Sequence, residues 1–496
     1  MYSIKRYLFE ILIVLSSLAG AVIFYQKFGA EHSPVESETA VAAAVEAPAS
    51  ASMQPATGAF SPPPDLLSAP AEVILRMDGS NTIGDKLAPA VAAAYLKQLG
   101  ADVTINKPLP TANEVQVIGF LPATNQVVAI AIKAHGSSTG FRSMLQQETD
   151  IAMSSRPIKE SENLQLLIPH GDMTRPESEH VIALDGLAII VHPDNPLRHL
   201  TVAQLAQIFA GEITHWSQLG GADRAIKLYA RDDQSGTYDT FNSLVLKKSG
   251  KQLAPAKRFE SNEQLARSVA ADAWGIGFTG LAYARTDMIL KISADDGIAA
   301  IEPKQFSISS EDYALSRRLF LYANTERSSN PHVSGLIDFA LSINGQHLVE
   351  QVSFIPQKVT ASLPVVNADF PVPYQRVALH GERLSVTFRM RSDRAEIDNK
   401  SAQDIEHLVN YLQQTPHQKV TLIGFSAGES QDEDADKNRA FIRSKLLAFE
   451  LKQRGIKNVE IIALGNALPI DSNDSEWGRY RNNRTEIWVT KSQSNS

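Results

Sequence analysis

Residues 231–241 read RDDQSGTYDTF, a stretch in which an apolar strand pattern passes into a helical pattern. Arg231 supplies one guanidinium at the end of an apolar run. Three small residues follow where a helical pattern begins: Ser235, Gly236 and Thr237. A helix start leaves backbone N–H groups unpaired, and Arg offers a two-pronged donor, so the combination suits a tetrahedral oxyanion. Asp233 is placed to orient Arg231. The alternative is that these residues form an ordinary capped helix at the protein surface, with no bound anion.

The same order of strand, hydroxyl-rich loop and helix occurs twice more along the chain. Residues 73–77 (VILRM) lead into GSNT, and residues 127–134 (VVAIAIKA) lead into GSSTGF; a short strand, IAM, ends at SSR. These loops contribute six hydroxyl residues: Ser80, Thr82, Ser137, Ser138, Thr139 and Ser155. Ligands of open α/β sheets bind beyond the carboxyl ends of strands. The sequence therefore predicts an α/β domain with a pocket for a small oxyanion that needs no metal or cofactor.

The composition of the chain excludes several classes of function. The chain has 496 residues, enough for two or three domains, and its formal net charge of -8 gives no reason to expect a nucleic-acid partner. It contains no cysteine, which excludes disulfides, thiolate metal sites and cysteine nucleophiles.

Seven motifs in the middle of the chain resemble those of a known protein family. GSNT, GSSTGF, DIAMSSRPI, DGLAIIVHPDNP, LAQIFAGEITHW, RDDQSGTYDTF and WGIGFTGLAY resemble, in order, those of PstS-like periplasmic phosphate-binding proteins of ABC transporters. The resemblance covers residues 72–359 and implies a two-lobed periplasmic-binding-protein fold (type II). Lobe one would comprise about 72–178 and 295–359, and lobe two about 179–294, with phosphate held between them.

By this likeness the hydroxyls of Ser80, Thr82, Ser137, Ser138, Thr139 and Ser155 face Arg231, Ser235, Gly236 and Thr237 across the cleft. Some family members have an Asp at the place of Ser155, where it accepts the proton of hydrogen phosphate and helps to reject sulfate. The serine leaves phosphate-over-sulfate selectivity open. We expect a binding protein and no enzyme.

Two other functions fit parts of the sequence. Gly136-x-Ser138-x-Gly140 matches the nucleophile elbow of serine hydrolases, which also lies between a strand and a helix. Alternatively the lobes bind no ligand and serve as a docking scaffold or sensor.

The amino-terminal residues 1–25 are predicted to be a transmembrane anchor. Lys5 and Arg6 precede a 19-residue apolar run, whose helical length of roughly 28 Å matches a bilayer. Ala19-Gly20-Ala21 resembles a signal-cleavage site, so a cleaved secretory signal is the alternative. The basic residues place the body in the periplasm. Residues 26–71 are a Pro/Ala-rich linker.

The carboxyl-terminal part follows a link at 360–382. Residues 383–490 alternate strand and helix patterns, which predicts an α+β β/α sandwich, and they resemble the OmpA-like peptidoglycan-associated domain. Arg443 matches the family's Arg that takes the carboxylate of diaminopimelate, whereas Ala427 stands where an Asp holds the amine. Glu429 or Asp432 is a candidate substitute. We expect weak peptidoglycan binding.

Taken together, the sequence predicts an envelope-anchored periplasmic binding protein. Its expected partners are inorganic phosphate or a similar oxyanion, peptidoglycan, the inner membrane and an ABC transporter permease.

Overall fold

The computed structural model describes residues 65–233, 235–364, 366–389, 398–414, 418–428 and 432–491. The described residues from Leu66 onward form one compact unit. Within these ranges no helix has the length and apolarity to cross a bilayer. The predicted anchor (residues 1–25) and most of the predicted Pro/Ala-rich linker (residues 26–71) lie outside the described residues.

Lobe one begins with alternating strands and helices. Its elements are β1 (Glu72–Gly79), α1 (Ala88–Gln98), β2 (Val103–Pro108), β3 (Glu114–Leu121), β4 (Gln126–Lys133), α2 (Ser137–Leu145), β5 (Ile151–Ser154) and α3 (Glu160–His170). The long strand β6 (Glu179–Val191) then crosses to lobe two.

Lobe two is built in the same alternating way. Its elements are β7 (His199–Thr201), α4 (Val202–Phe209), β8 (Lys227–Arg231), α5 (Gly236–Phe241), β9 (Lys257–Phe259), α6 (Asn262–Ala270), β10 (Gly275–Gly280), β11 (Lys291–Ser293) and α7 (Gln305–Ser309). The chain returns through β12 (Ser316–Tyr322) to α8 (Pro331–Leu341) and α9 (Ile343–Gln351) of lobe one.

Both lobes share one ten-stranded sheet, in the order β2-β3-β4-β1-β5-β12-β6-β10-β8-β9. The crossover strands β6 and β12 are antiparallel neighbours at its centre. Each lobe has its own apolar core, and the core of lobe two includes Ile308, Tyr313 and Leu315. Lobe two therefore extends up to β12, further than the sequence-predicted end at residue 294.

The carboxyl-terminal domain has a mixed five-stranded sheet of its own, in the order β13-β14-β17-β15-β16. Its elements are β13 (Ala361–Ser362), α10 (Val372–His380), β14 (Glu382–Arg389), α11 (Asn399–Gln413), β15 (Gln418–Gly424), α12 (Glu433–Gln453), β16 (Val459–Ala463), α13 (Glu476–Asn482) and β17 (Arg484–Lys491). Strands β15 and β16 are parallel, whereas β17 runs antiparallel to β14 and β15. A separate core fills the space between this sheet, α11 and α12.

Candidate functional site: a hydroxyl-lined contact between the two lobes

Three neighbouring parallel strands bring the predicted loops of lobe one together. Strand β1 lies between β4 and β5, so the loops that follow all three strands meet at one edge of the sheet. The amide of Ser80 donates to the carbonyl of Met153 (2.9 Å). Gly79 has φ +136°, and a Cβ there would lie 2.1 Å from the Met153 carbonyl oxygen. Only glycine allows this approach, which fixes Ser80 beside the end of β5.

The hydroxyls of lobe one form a buried group at this edge. Ser137 Oγ lies 3.3 Å from Ser155 Oγ and accepts a hydrogen bond from the Ser155 amide (3.1 Å). Ser80 is fully buried, and its Oγ has no hydrogen-bond partner among the residues that the structure describes. A buried hydroxyl without a partner costs free energy unless something else binds it. Ser80 is thus available to an incoming acceptor or donor.

Ser138 and Thr139 are directed elsewhere. The exposed Ser138 accepts a hydrogen bond from Arg156 Nη2 (2.9 Å), and among the described residues its hydroxyl has no histidine as a hydrogen-bond partner. Thr139 Oγ1 donates to the carbonyl of Gly136 (2.8 Å) and lies 3.3 Å from Asp78. Thr139 thus stabilises the turn before α2, whereas Ser138 contacts the segment after β5. The buried group includes neither side chain.

In lobe two, residues 231–241 comprise the end of β8, a short loop and α5. Ser235 caps α5, because its Oγ accepts from the amides of Thr237 (3.2 Å) and Tyr238 (3.4 Å). Arg231 donates through Nε to the carbonyl of Phe259 (3.1 Å) and through Nη2 to that of Glu260 (2.6 Å). These carbonyls orient the guanidinium.

Arg231 is also close to the predicted Thr237 hydroxyl, which lies 3.5 Å from its Nη1. Burial lowers the pKa of Arg231, and Asp232 acts in the opposite direction. The expected role of Asp233 needs correction, since this exposed carboxylate pairs with Arg258 (2.6 Å). Asp232, one residue earlier, is the carboxylate beside Arg231, at 3.8 Å.

The two lobes touch where their predicted loops meet. A Cβ on Gly236 would lie 2.4 Å from both Cα and Oγ1 of Thr82, so glycine is required for this approach. Ser155 Oγ donates to Asp239 Oδ2 (3.2 Å) from the opposite lobe. Serine, threonine and glycine from four predicted loops therefore converge at one place.

Arg317, on the crossover strand β12, is a site residue that the sequence analysis missed. Its Nη2 donates to Thr82 Oγ1 (2.5 Å) in lobe one and to the carbonyl of Gly236 (3.0 Å) in lobe two. Asp185 of β6 pairs with it at 3.2 Å. Burial lowers the pKa of Arg317, while the neighbouring Asp185 and Asp239 oppose that shift. The sequence contains one indication of this role: two consecutive arginines, Arg317 and Arg318, lie within an otherwise apolar strand pattern.

Comparison with known proteins identifies the middle of the chain. The family model of the PBP superfamily domain matches residues 68–344, more than half of the chain. The chain belongs to the PBP superfamily.

Named relatives cover the same PBP-superfamily domain. Protein SphX of Synechocystis sp. is 29% identical over 273 residues, which are 50% of this chain and 80% of SphX. Phosphate-binding protein PstS of Borreliella burgdorferi is 29% identical over 237 residues, 47% of this chain and 81% of PstS. Among solved structures, an ABC-type phosphate transport receptor from Vibrio cholerae is 24% identical, with a TM-score of 0.44 over 57% of this chain and 99% of that one.

Outside the PBP-superfamily match, Arg443 and Ala427 lie close together in the carboxyl-terminal domain. Both donate to one acceptor, Asn483 Oδ1: the Arg443 Nη1 at 2.7 Å and the Ala427 amide at 2.9 Å. Ala427 is buried. The guanidinium of Arg443 is thus held next to Ala427, the position at which the sequence resemblance leads one to expect an Asp. Glu429 lies outside the described residues, and Asp432 caps α12 by accepting from the amide of Asp434 (3.0 Å).

Proposed function

We propose that this chain binds inorganic phosphate between its two lobes, and that it is a binding protein and not an enzyme. The buried, unpartnered hydroxyl of Ser80 is the observation that carries the proposal. It lies in loops whose serines and threonines converge from both lobes, and the relative PstS is named for phosphate.

The chemistry of the site fits an oxyanion better than a neutral ligand. Neutral hydroxyls and backbone N–H groups form strong, charge-assisted hydrogen bonds to anionic oxygens. Arg231 and Arg317 add two guanidinium groups, each already oriented by carbonyl or carboxylate partners. We assign phosphate contacts to Ser80, Thr82, Ser137, Ser155, Arg231, Ser235, Gly236 and Thr237.

Isothermal titration with phosphate tests this assignment. The Arg231→Ala variant should bind phosphate at least about tenfold more weakly, because a hydrogen bond to a charged group contributes about 1.5–3 kcal/mol. Arg267→Ala is the matched control, since it removes an exposed arginine of the same lobe whose ion pair is with Glu263, one turn away on α6. Equal affinity in parent and Arg231→Ala would refute the role of Arg231.

For the rest of the chain we propose a place in the cell envelope. In this proposal residues 1–25 anchor the protein in the inner membrane and the PBP-superfamily domain works in the periplasm. The carboxyl-terminal domain, which resembles OmpA-like domains over residues 383–490 and also includes β13 and α10, contacts peptidoglycan. The shared acceptor Asn483 supports the last part, since it holds Arg443 beside Ala427. An ABC transporter permease is the proposed membrane partner.

Pull-down with purified peptidoglycan tests the wall contact. Binding of the parent should be weak, Arg443→Ala should abolish it, and Ala427→Asp should strengthen it by restoring the missing carboxylate. Retention of Arg443→Ala on peptidoglycan at the level of the parent would place the wall contact elsewhere on the protein.

A further inference from the structure

The carboxyl-terminal domain packs against the PBP-superfamily domain beside the crossover strands. The first group of contacts is to the segment 310–312, which belongs to lobe two. Arg389 Nη1 donates to Glu311 Oε2 (3.1 Å), and its Nη2 donates to the carbonyl of Ser310 (3.0 Å). Arg481 Nη2 donates to the carbonyls of Glu311 (3.1 Å) and Asp312 (2.8 Å).

A second group of contacts is to β12 itself. Arg318 Nη1 donates to Asp398 Oδ2 (2.9 Å), just before α11, and the hydroxyl of Tyr480 donates to the same carboxylate. The Nε of Arg318 donates to Glu311 Oε1 (2.6 Å). One arginine on the crossover strand thus joins the segment 310–312 of lobe two to the carboxyl-terminal domain.

The third group of contacts is on the lobe-one side. Asn399, the first residue of α11, donates through Nδ2 to the carbonyl of Thr174 (3.1 Å) and to Glu179 Oε1 (3.1 Å). Thr174 follows α3 of lobe one, and Glu179 begins β6. The carboxyl-terminal domain therefore contacts the chain on both sides of the point where the lobes join.

Glu311 is the centre of this arrangement and has a restrained backbone. Its φ is +57°, a left-handed conformation that residues other than glycine adopt at a cost in free energy. Its side chain and carbonyl are held by Arg318, Arg389 and Arg481. The carboxyl-terminal domain thus helps to hold a strained residue next to the crossover strand.

Consecutive residues of β12 connect this interface to the anion site. Side chains alternate between the faces of a strand. Arg317 contacts Thr82 and Gly236 in the cleft, whereas the next residue, Arg318, contacts the carboxyl-terminal domain. A cavity of about 110 Å³ is lined by residues of both the anion site and the interface. They include Ser155 and Arg317 from the site, and Glu311 and Tyr480 from the interface.

We propose that the carboxyl-terminal domain acts as a brace across the crossover strands β6 and β12, which form the hinge between the lobes. In this proposal its docking holds the lobes closed and raises their affinity for the anion. For the identity of the anion, the proposal depends on the function proposed above. Coupling between two binding events is reciprocal, so phosphate in the cleft should in turn stabilise docking.

The chain contains no cysteine, which permits a distance measurement between spin labels in the full-length protein. Lys97→Cys in lobe one and Lys248→Cys in lobe two put labels on exposed positions. Into this labelled chain we would introduce Arg389→Glu, which faces Glu311 with a like charge. Arg376→Glu, an exposed position of the same domain, is the control with an equal charge change.

The proposal predicts a narrow inter-lobe distance distribution in the parent and in Arg376→Glu, and a longer, broader one in Arg389→Glu. Tyr480→Phe, which removes one hydroxyl, should shift the distribution less and in the same direction. Phosphate affinity should fall about tenfold in Arg389→Glu, within the range typical of coupled sites.

Identical distance distributions in the parent, Arg389→Glu and Tyr480→Phe would overturn the brace. The distances are measured without phosphate, so they test the brace even if the parent binds none. Absence of phosphate binding by the parent would instead refute the proposed function.

Discussion

At the scale of single residues, the contact between Gly236 and Thr82 sets how closely the lobes approach. An added Cβ at Gly236 meets backbone as well as side-chain atoms of Thr82, the nearest at 2.4 Å, and backbone has little room to move. We therefore expect Gly236→Ala to weaken phosphate binding by about tenfold or more, a loss similar to that of one charged hydrogen bond. Isothermal titration measures the change.

Gly280→Ala is the control for that substitution. A Cβ at Gly280 meets the Tyr283 ring at an ordinary 3.6 Å, and its φ of -62° suits any residue. Its phosphate affinity should equal that of the parent. If Gly236→Ala also binds like the parent, the lobes do not need this contact to hold the anion.

Asp239 is the residue most suited to distinguish phosphate from sulfate. Its Oδ2 accepts a hydrogen bond from Ser155 and lies 3.7 Å from Arg317 Nη1, which places a carboxylate at the anion site. Hydrogen phosphate can donate its proton to a carboxylate, whereas sulfate has no proton at neutral pH and is repelled. We expect Asp239→Asn to reduce the ratio of phosphate to sulfate affinity by about tenfold or more. Competition titrations measure this ratio, and an unchanged ratio would exclude Asp239 from selectivity.

At the scale of elements, the sequence predicted what local patterns determine. Strands β1, β4 and β8 each end within two residues of the end of the predicted apolar run, and each leads into a helical segment. This agreement is expected, because periodicity and turn chemistry are properties of neighbouring residues. The convergence of the lobe-one loops was also predictable, because the carboxyl ends of neighbouring parallel strands meet at one edge of a sheet.

Contacts between distant segments were beyond such reasoning. Arg317 and Thr82 are 235 positions apart, and the contact depends on how β12 lies between the lobes. The pairing of Asp233 with Arg258 depends likewise on β9 lying beside β8. Adjacent Asp232 and Asp233 could not be told apart by spacing alone.

The interface between β12 and α11 should resist mild acid. Burial alone would raise the pKa values of Glu311 and Asp398, but Arg318 holds both below their usual range. A carboxyl group with a depressed pKa stabilises the fold above its unfolded pKa of about 4, and this contribution is lost only as the pH falls through the lower, folded value. Glu179 has a raised pKa, chiefly through burial, so its protonation comes first and does not weaken the fold.

Hydrogen exchange, corrected for its intrinsic pH dependence, measures the outcome in α11 and α13. We expect equal protection at pH 7 and pH 5. Loss of protection already at pH 5 would show that these ion pairs do not hold the interface.

At the scale of the whole molecule, one sheet connects both lobes, and the carboxyl-terminal domain lies against the strands that connect them. Closure of the lobes must bend β6 and β12, since these two strands alone cross between the lobes in the described part of the sheet. Ligand binding in the cleft and contacts of the carboxyl-terminal domain therefore act on the same two strands.

A thermal-shift titration with phosphate, sulfate and chloride tests most directly whether the cleft holds a tetrahedral anion. A ligand that binds only the folded state stabilises it in proportion to the logarithm of its concentration, by about 2.7 kcal/mol at one hundred times Kd. We predict a melting temperature that rises steadily with phosphate, rises less with sulfate and stays constant with chloride at equal ionic strength. A melting temperature that is the same at every phosphate concentration would contradict the account and favour a docking scaffold without ligand.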